Sequence, residues 1–384
     1  MSVRNATFNA RARAEVKTIT PANVNIGNTF SYTINGKTVT VTATAATVAN
    51  VTALAAAALE AATEPEFTEI TWVDSTTHVT ATSAAGVPFT LTSSAAGGTA
   101  TNTTATTTAA TGPTFWDDAN NWDGAVPITG DTANVNLDLG SFTDGLGQSA
   151  VTLAVLNVTS TSETPNTLRR PKLNPAGYTE YRDTLLEIGA TVCKIDAGAT
   201  VGINFGSVET ACEVRRTGSS SGSIPAVELV GTNTSNTFEV VSGSVGLAFY
   251  DGETCNSASL ITGPDANVVA GDGATIIAIE NLGTVDFKGT FTVFTNSSGN
   301  ATLRGDATPD DIYVAGASRV DYRLTGTVGA VEVHGTIDKS NDQSPATWNS
   351  TILHPGGSII DPAESITHTN GIDPGPGVRQ VSAA

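Results

Sequence analysis

Charge, sulfur and histidine are all scarce in this sequence. Only 14% of its 384 residues are charged, and it holds three cysteines, four histidines and one methionine, at residue 1. Three cysteines cannot all pair, and they show neither a disulfide framework nor a metal-ligand spacing. Cys193 and Cys212 stand 19 residues apart, which leaves two readings open. They are either bridged between adjacent repeats or are reduced thiols packed as small apolar side chains. The histidines, at 78, 334, 354 and 368, include no helical pair to hold zinc. There are 18 Lys and Arg against 37 Asp and Glu, a formal net charge of −19. That balance excludes nucleic acid, whose phosphates require clustered cations, and it argues against an anionic membrane surface. No apolar run is long enough to span a bilayer. The opening Met1-Ser-Val-Arg-Asn-Ala-Thr-Phe has no apolar signal core, so the expectation is a protein not exported by that route. No Gly-x-Ser-x-Gly elbow, phosphate loop or Cys-x-x-Cys pair is present.

What the chain has instead is Thr, Ala, Val and 38 Gly, a composition suited to β structure. From Val227 to Asp361 one phrase returns: a few apolar or β-branched residues, a Gly, then another apolar run. Copies include Phe238-Glu-Val-Val-Ser-Gly, Asn267-Val-Val-Ala-Gly, Ile312-Tyr-Val-Ala-Gly, Val331-Glu-Val-His-Gly and Ile352-Leu-His-Pro-Gly-Gly. The last three start 19 and 21 residues apart, the length of one solenoid coil. Each copy holds too few apolar residues to bury a face alone, so stacking must supply the partner surface. Gly in each copy lets the chain corner with φ > 0. A β-sandwich with Gly-rich turns is the competing reading. The expectation is a mainly β chain, a single-stranded right-handed parallel β-helix (solenoid) preceded by a small α+β domain. The hand of the coil is assumed, since the sequence does not give it.

In chain order, residues 1–15 read as a polar arm. Arg4, Arg11 and Arg13 stand out against the acidic background, and the arm is either disordered or docks on an acidic neighbour. Residues 16–95 read as the small domain, for attachment or oligomerisation. Asn35-Gly36 turns a hairpin between Phe30–Ile34 and Val39–Ala43. A helix N-capped by Thr47 buries Val48, Val51, Ala55, Ala58, Leu59 and Ala62 and closes at Pro65. Strands follow at 67–73, 78–83 and 88–91, the second carrying His78 on its surface. Residues 96–113, nearly all Thr, Ala, Ser, Gly and Asn, read as a linker or loose edge. The solenoid domain spans 114–365 and the tail 366–384. Trp116, Trp122, Gly124, Pro127 and Asp131 read as the cap that shields the first coil, or as a sugar platform in which Trp faces stack on rings. The loop holding Arg169, Arg170, Lys172, Tyr178 and Tyr181 is the one locally basic stretch and reads as a contact surface.

Catalytic carboxylates work in tuned pairs. The candidates are Asp310 with Asp311, which reads as a turn after Pro309; Asp321 with Arg323, which an ion pair explains; and Glu332 with His334, on one strand face. The acidic turn Gly271-Asp-Gly273 offers weak calcium ligation at most. The expectation is therefore no enzyme activity and no cofactor.

Ile26-Gly-Asn-Thr-Phe-Ser-Tyr-Thr-Ile-Asn-Gly-Lys, the Ala-rich helix and Gly86-Val-Pro-Phe-Thr-Leu-Thr resemble a small domain of tailed-bacteriophage structural proteins. The block from Trp116 through Asn121-Trp-Asp-Gly-Ala-Val-Pro to Gly130-Asp, followed by coils, is similar to parallel β-helix regions of phage and cell-surface proteins. The resemblance implies a virion surface component, a head decoration protein or fibre-like appendage. It would be a homotrimer bound to a capsid or other virion protein and assembled in the host cytoplasm. No trimerising coiled coil is evident. The alternatives are a solenoid depolymerase of host-surface polysaccharide and a glycan-binding adhesin.

Overall fold

A computed structural model describes residues 2–220 and 224–375. The chain is 55% strand and 5% helix, and its body is a parallel β-solenoid of about 12 turns. Along one face, register partners form an unbroken inward row. It runs Ala133, Leu156, Cys193, Cys212, Phe238, Leu260, Ile279, Phe294, Ile312, Val331 and Thr351, coil upon coil. A second row runs Leu168, Val201, Val227, Val245, Val268, Val285, Ala301, Val320, Ile337 and Ile359. β-Branched side chains suit these positions because each packs on its own kind in the next coil. The three cysteines are free and buried, so Cys193 and Cys212, although register partners, act as small core side chains.

The interior is not wholly apolar. Thr262, Asn281 and Asn296 are 0% exposed and form a polar stack at one corner of successive coils. Thr262 Oγ1 donates to Asn281 Oδ1 (2.7 Å), and Asn281 Nδ2 donates to Asn296 Oδ1 (2.8 Å). Asn296 Nδ2 donates to the carbonyls of Gly299 and Arg319, so side chains satisfy backbone groups where the strand breaks. The repeated glycines serve two needs. Gly243 has φ +97°, as a corner demands, but Gly335 lacks a positive φ; a Cβ there would run into the carbonyl oxygen of Ala315 in the preceding coil. The expected positive φ thus holds for some copies, and close coil approach explains others.

Residues 2–15 are not a free arm. Val3–Asn5 is a strand paired in parallel with Thr132–Asn136, forming the first rung of the solenoid. Ser2 N donates to Asp131 Oδ1 (2.8 Å) and Arg4 Nε to Asp131 Oδ2 (3.4 Å), so the acidic neighbour belongs to the same chain. The cause is the exposed edge that any first coil presents, which needs a partner for its N–H and C=O groups. Phe8 then folds over Phe142, with ring centroids 4.5 Å apart. Arg13 pairs through its backbone with Thr111, while the Arg11 and Arg13 side chains stay exposed.

The small domain holds a three-stranded sheet and a four-stranded sheet, with the helix Val48–Glu60 against them. The hairpin turns at Asn35 (φ 50°) and Gly36 (φ 73°), and Thr47 Oγ1 accepts from Asn50 N (3.3 Å). Three details differ from the sequence reading. Pro65 begins a short helix, Pro65–Thr68, which shifts the next strand to Ile70–Asp74; its fixed φ suits a first helical position. Residues 88–91 are not a strand, and pairing falls instead to Thr92–Ala96. Thr101–Thr108, in the segment read as a linker or loose edge, is the edge strand of the larger sheet. Its β-branched Thr residues need no buried face to pair there. At the other end, Ile366–His368 and Ile372–Pro374 are solenoid strands rather than tail, and residues 376–384 lie outside the described residues.

Replacing Asn281 by Ala would strand Asn296 Oδ1 in a dry interior, deprive the Thr262 hydroxyl of its acceptor and leave the Gly283 N–H only a 3.4 Å contact with Thr262 Oγ1. The expected loss is about 1–3 kcal/mol of unfolding free energy, read from the urea midpoint. An unchanged midpoint would show that the stack carries no weight.

Candidate functional site

Of the three carboxylate candidates, two are ordinary surface. Asp310 and Asp311 are exposed beside the strand Asp311–Val314, and the Asp310 carbonyl is used by Ala330 N (2.7 Å). Asp321 pairs with Arg323 at 2.5 Å in one strand. Other surface carboxylates are tied to the neighbouring coil: Arg216 to Asp196 (3.1 Å), Lys288 to Asp272 (2.7 Å) and Arg304 to Asp286 (2.7 Å). Asp272, the acid of the Gly271-Asp-Gly273 turn, thus already holds a cation. Pairs this exposed contribute at most about 1 kcal/mol each. His78 is half-buried, its Nδ1 3.0 Å from the Thr77 hydroxyl.

Four of the five cap residues lie inside. Trp116 and Trp122 are 0% and 4% exposed and meet edge to face at 4.8 Å, and Trp122 stacks on Phe142 at 5.4 Å. Trp122 Nε1 donates to the Trp116 carbonyl (2.7 Å). Asn121, wholly buried between them, donates to the carbonyls of Gly112 and Phe115 and accepts from Ala10 N. With both rings buried, no sugar can stack on them. Pro127 and Asp131 are buried, and Gly124 is exposed beside the Arg4 guanidinium.

The basic loop turns inward as a strap between the small domain and the solenoid, which corrects its reading as a contact surface. Toward the solenoid, Arg169 pairs with Glu228 (2.7 Å), Arg170 with Asp144, and Lys172 with Glu253 and Glu228. Lys172 also lies over the Tyr250 ring, 3.8 Å from its centroid. Toward the small domain, the Tyr178 hydroxyl donates to Glu69 Oε2 (3.0 Å), and Arg182 donates to the Pro88 carbonyl (2.8 Å). Tyr181 packs against the small-domain core. The loop is basic because the groups it crosses are acidic and buried: an unpaired carboxylate there would carry a large desolvation cost.

This charge lattice shifts its members in opposite directions. Burial raises Glu228, to about 7, and its hydrogen bond with Glu253 adds to the rise; Arg169 and Lys172 oppose it. For Glu180, burial also pushes upward, but the Arg182 fork (2.7 and 2.8 Å) and Asn174 outweigh it and hold the carboxyl at about 2. Glu228 and Glu253 are a close carboxyl pair, yet their side chains are 0% and 12% exposed and roofed by Lys172. A substrate has no path to them.

Glu332 and His334 do share a face, and the structure adds His354 from the following coil, which sequence reading left apart. Glu332 Oε1 lies 3.0 Å from His334 Nε2 and 2.9 Å from His354 Nε2. The two imidazoles stack at 3.7 Å, 9° from parallel. His354 follows Val331-Glu-Val-His by one repeat length, so the coil spacing itself was the signal that could have joined them. Two shallow troughs, about 340 and 260 Å³, run along the same solenoid face near Lys194. No known protein family, curated protein or solved structure matches the chain.

Glu180 supplies the pH test. Its folded pKa lies below its ordinary 4.5, so its stabilisation is present above 4.5 and lost as pH falls toward 2. Glu228 contributes the opposite slope, with stability falling as pH rises from 4.5 to about 7. Glu180→Gln should lower stability near neutrality by on the order of 3 kcal/mol and flatten the acid limb in urea unfolding. An acid limb identical to that of the wild type would remove Glu180 from the lattice.

Proposed function

We propose that this chain is a non-enzymatic structural protein of a phage particle, a capsid decoration component whose β-solenoid projects from the surface. The observation that carries this reading is the state of its carboxylates. Those on the solenoid surface that have partners are spent in ion pairs along and between coils, and the close pair Glu228–Glu253 is sealed beneath the strap. A depolymerase needs two carboxyl groups open to a groove. The resemblance of the hairpin-helix region to phage structural domains supports assigning attachment to the small domain.

Homotrimer formation belongs to the same proposal. One outward row of the solenoid carries small or β-branched side chains in register: Val155, Val192, Ala211, Thr237, Ser259, Ala278 and Val293. This row of short side chains lets another copy approach closely, and the flanking row of Lys194, Glu213, Glu239 and Glu280 offers charged groups beside it. A glycan-binding adhesin is the second reading, favoured by the troughs on this face, whose walls include Lys194, Asp196 and Arg215.

Light scattering and co-sedimentation with purified phage particles test both. The proposal expects a species of three times the 39.0 kDa chain mass that pellets with particles. A monomer that stays in the supernatant and releases reducing sugar from host capsule would overturn it.

A further inference from the structure

We propose that Glu332, His334 and His354 bind one divalent transition-metal ion of the zinc class, joining two successive coils near the C-terminal end of the solenoid. Their ligand atoms, one from each residue, all lie within 4.8 Å of one another. The contacts to Glu332 Oε1, at 3.0 and 2.9 Å, approach the separation that tetrahedral ligands adopt around a shared ion. Metal–ligand bonds of about 2.0–2.2 Å place neighbouring ligands roughly 3.3 Å apart, so the two oxygen–nitrogen separations need to open by only a few tenths of an ångström, while one of the near-parallel imidazoles must tilt for both Nε2 lone pairs to converge on the ion.

Hydrogen bonding within the protein does not account for this arrangement. His354 Nε2 is shielded from solvent and has no hydrogen-bond partner, although Glu332 Oε1 is 2.9 Å away. One carboxylate oxygen is asked to serve two stacked imidazoles, and it meets only His334 Nε2 at hydrogen-bonding geometry, leaving His354 Nε2 close but idle. A metal ion satisfies all three at once. The backbone already fixes the ligands: His334 N donates to the Val314 carbonyl (2.8 Å) and His354 N to the Val333 carbonyl (2.9 Å). Tyr313 lies beside His334, ring centroids 5.3 Å apart. Two imidazoles and one carboxylate favour zinc, cobalt, nickel or copper over magnesium or calcium. Three protein ligands leave a fourth position for water or a donor from another molecule.

Because Glu332 and His334 come from one coil and His354 from the next, the ion acts as a staple across the stack. Isothermal titration of the tag-free full chain with zinc chloride should show one equivalent bound per chain. His354→Ala and Glu332→Gln should each weaken binding by about tenfold or more, while His78→Ala retains it. Zinc should raise the melting temperature of the wild type and not of His354→Ala, and cobalt(II) should give the visible bands of a four-coordinate site. The inference fails if the wild type shows no saturable binding, or if His334→Ala/His354→Ala binds zinc with wild-type stoichiometry and affinity.

Discussion

Backbone hydrogen bonding between parallel coils is the constraint from which the rest of the molecule follows. No coil can pair its own N–H and C=O groups or bury its own apolar row, so each depends on the coils beside it. That dependence explains the inward rows of Val, Ile, Leu and Phe, the glycines where coils approach most closely, and the asparagines where strands break. It also creates two exposed ends. The N-terminal end is closed by the chain's own first strand and by Phe8, Phe142, Trp116 and Trp122. Ser2 must therefore find Asp131 across 129 residues of sequence, a contact of high order that delays completion of the first rung.

Charge is distributed by the same logic. An acidic chain with few cations places several of them in the strap, where Arg169, Arg170, Lys172 and Arg182 answer Glu228, Asp144, Glu253 and Glu180. The strap reaches Glu69 and Pro88 of the small domain, so one loop links the charge lattice it covers on the solenoid to the small domain. Breaking one member leaves a buried partner uncompensated, which costs more than the pair itself contributes. Farther along the solenoid, the cations form exposed pairs with neighbouring coils, which add little stability and consume free carboxylates.

The solenoid was legible because its later coils are nearly equal in length. Ile312, Val331 and Thr351 are stacked partners, and the Gly-bearing phrases around them repeat visibly. Between Leu156 and Cys193, also stacked partners, the strap is inserted into one coil and hides the period. The asparagine stack was missed because nothing in the sequence marks Asn281 and Asn296 as buried until their register is known. Composition misplaced the cations: Arg4 read as part of a disordered or docking arm and the strap cations as a contact surface, yet their partners come from distant sequence of the same chain that only folding brings near. The His334–His354 pairing needed no such knowledge, since the repeat length alone sets one above the other.

Amide hydrogen exchange, resolved along the chain, tests the continuous stack most directly. The account predicts slow exchange through the inward rows, with the Thr132 amide, held by the Ser2 carbonyl, as protected as those of Leu260 or Ile312. Rapid exchange at Thr132–Asn136 beside protected central coils would contradict it, because the N-terminal strand would then not be a rung of the solenoid.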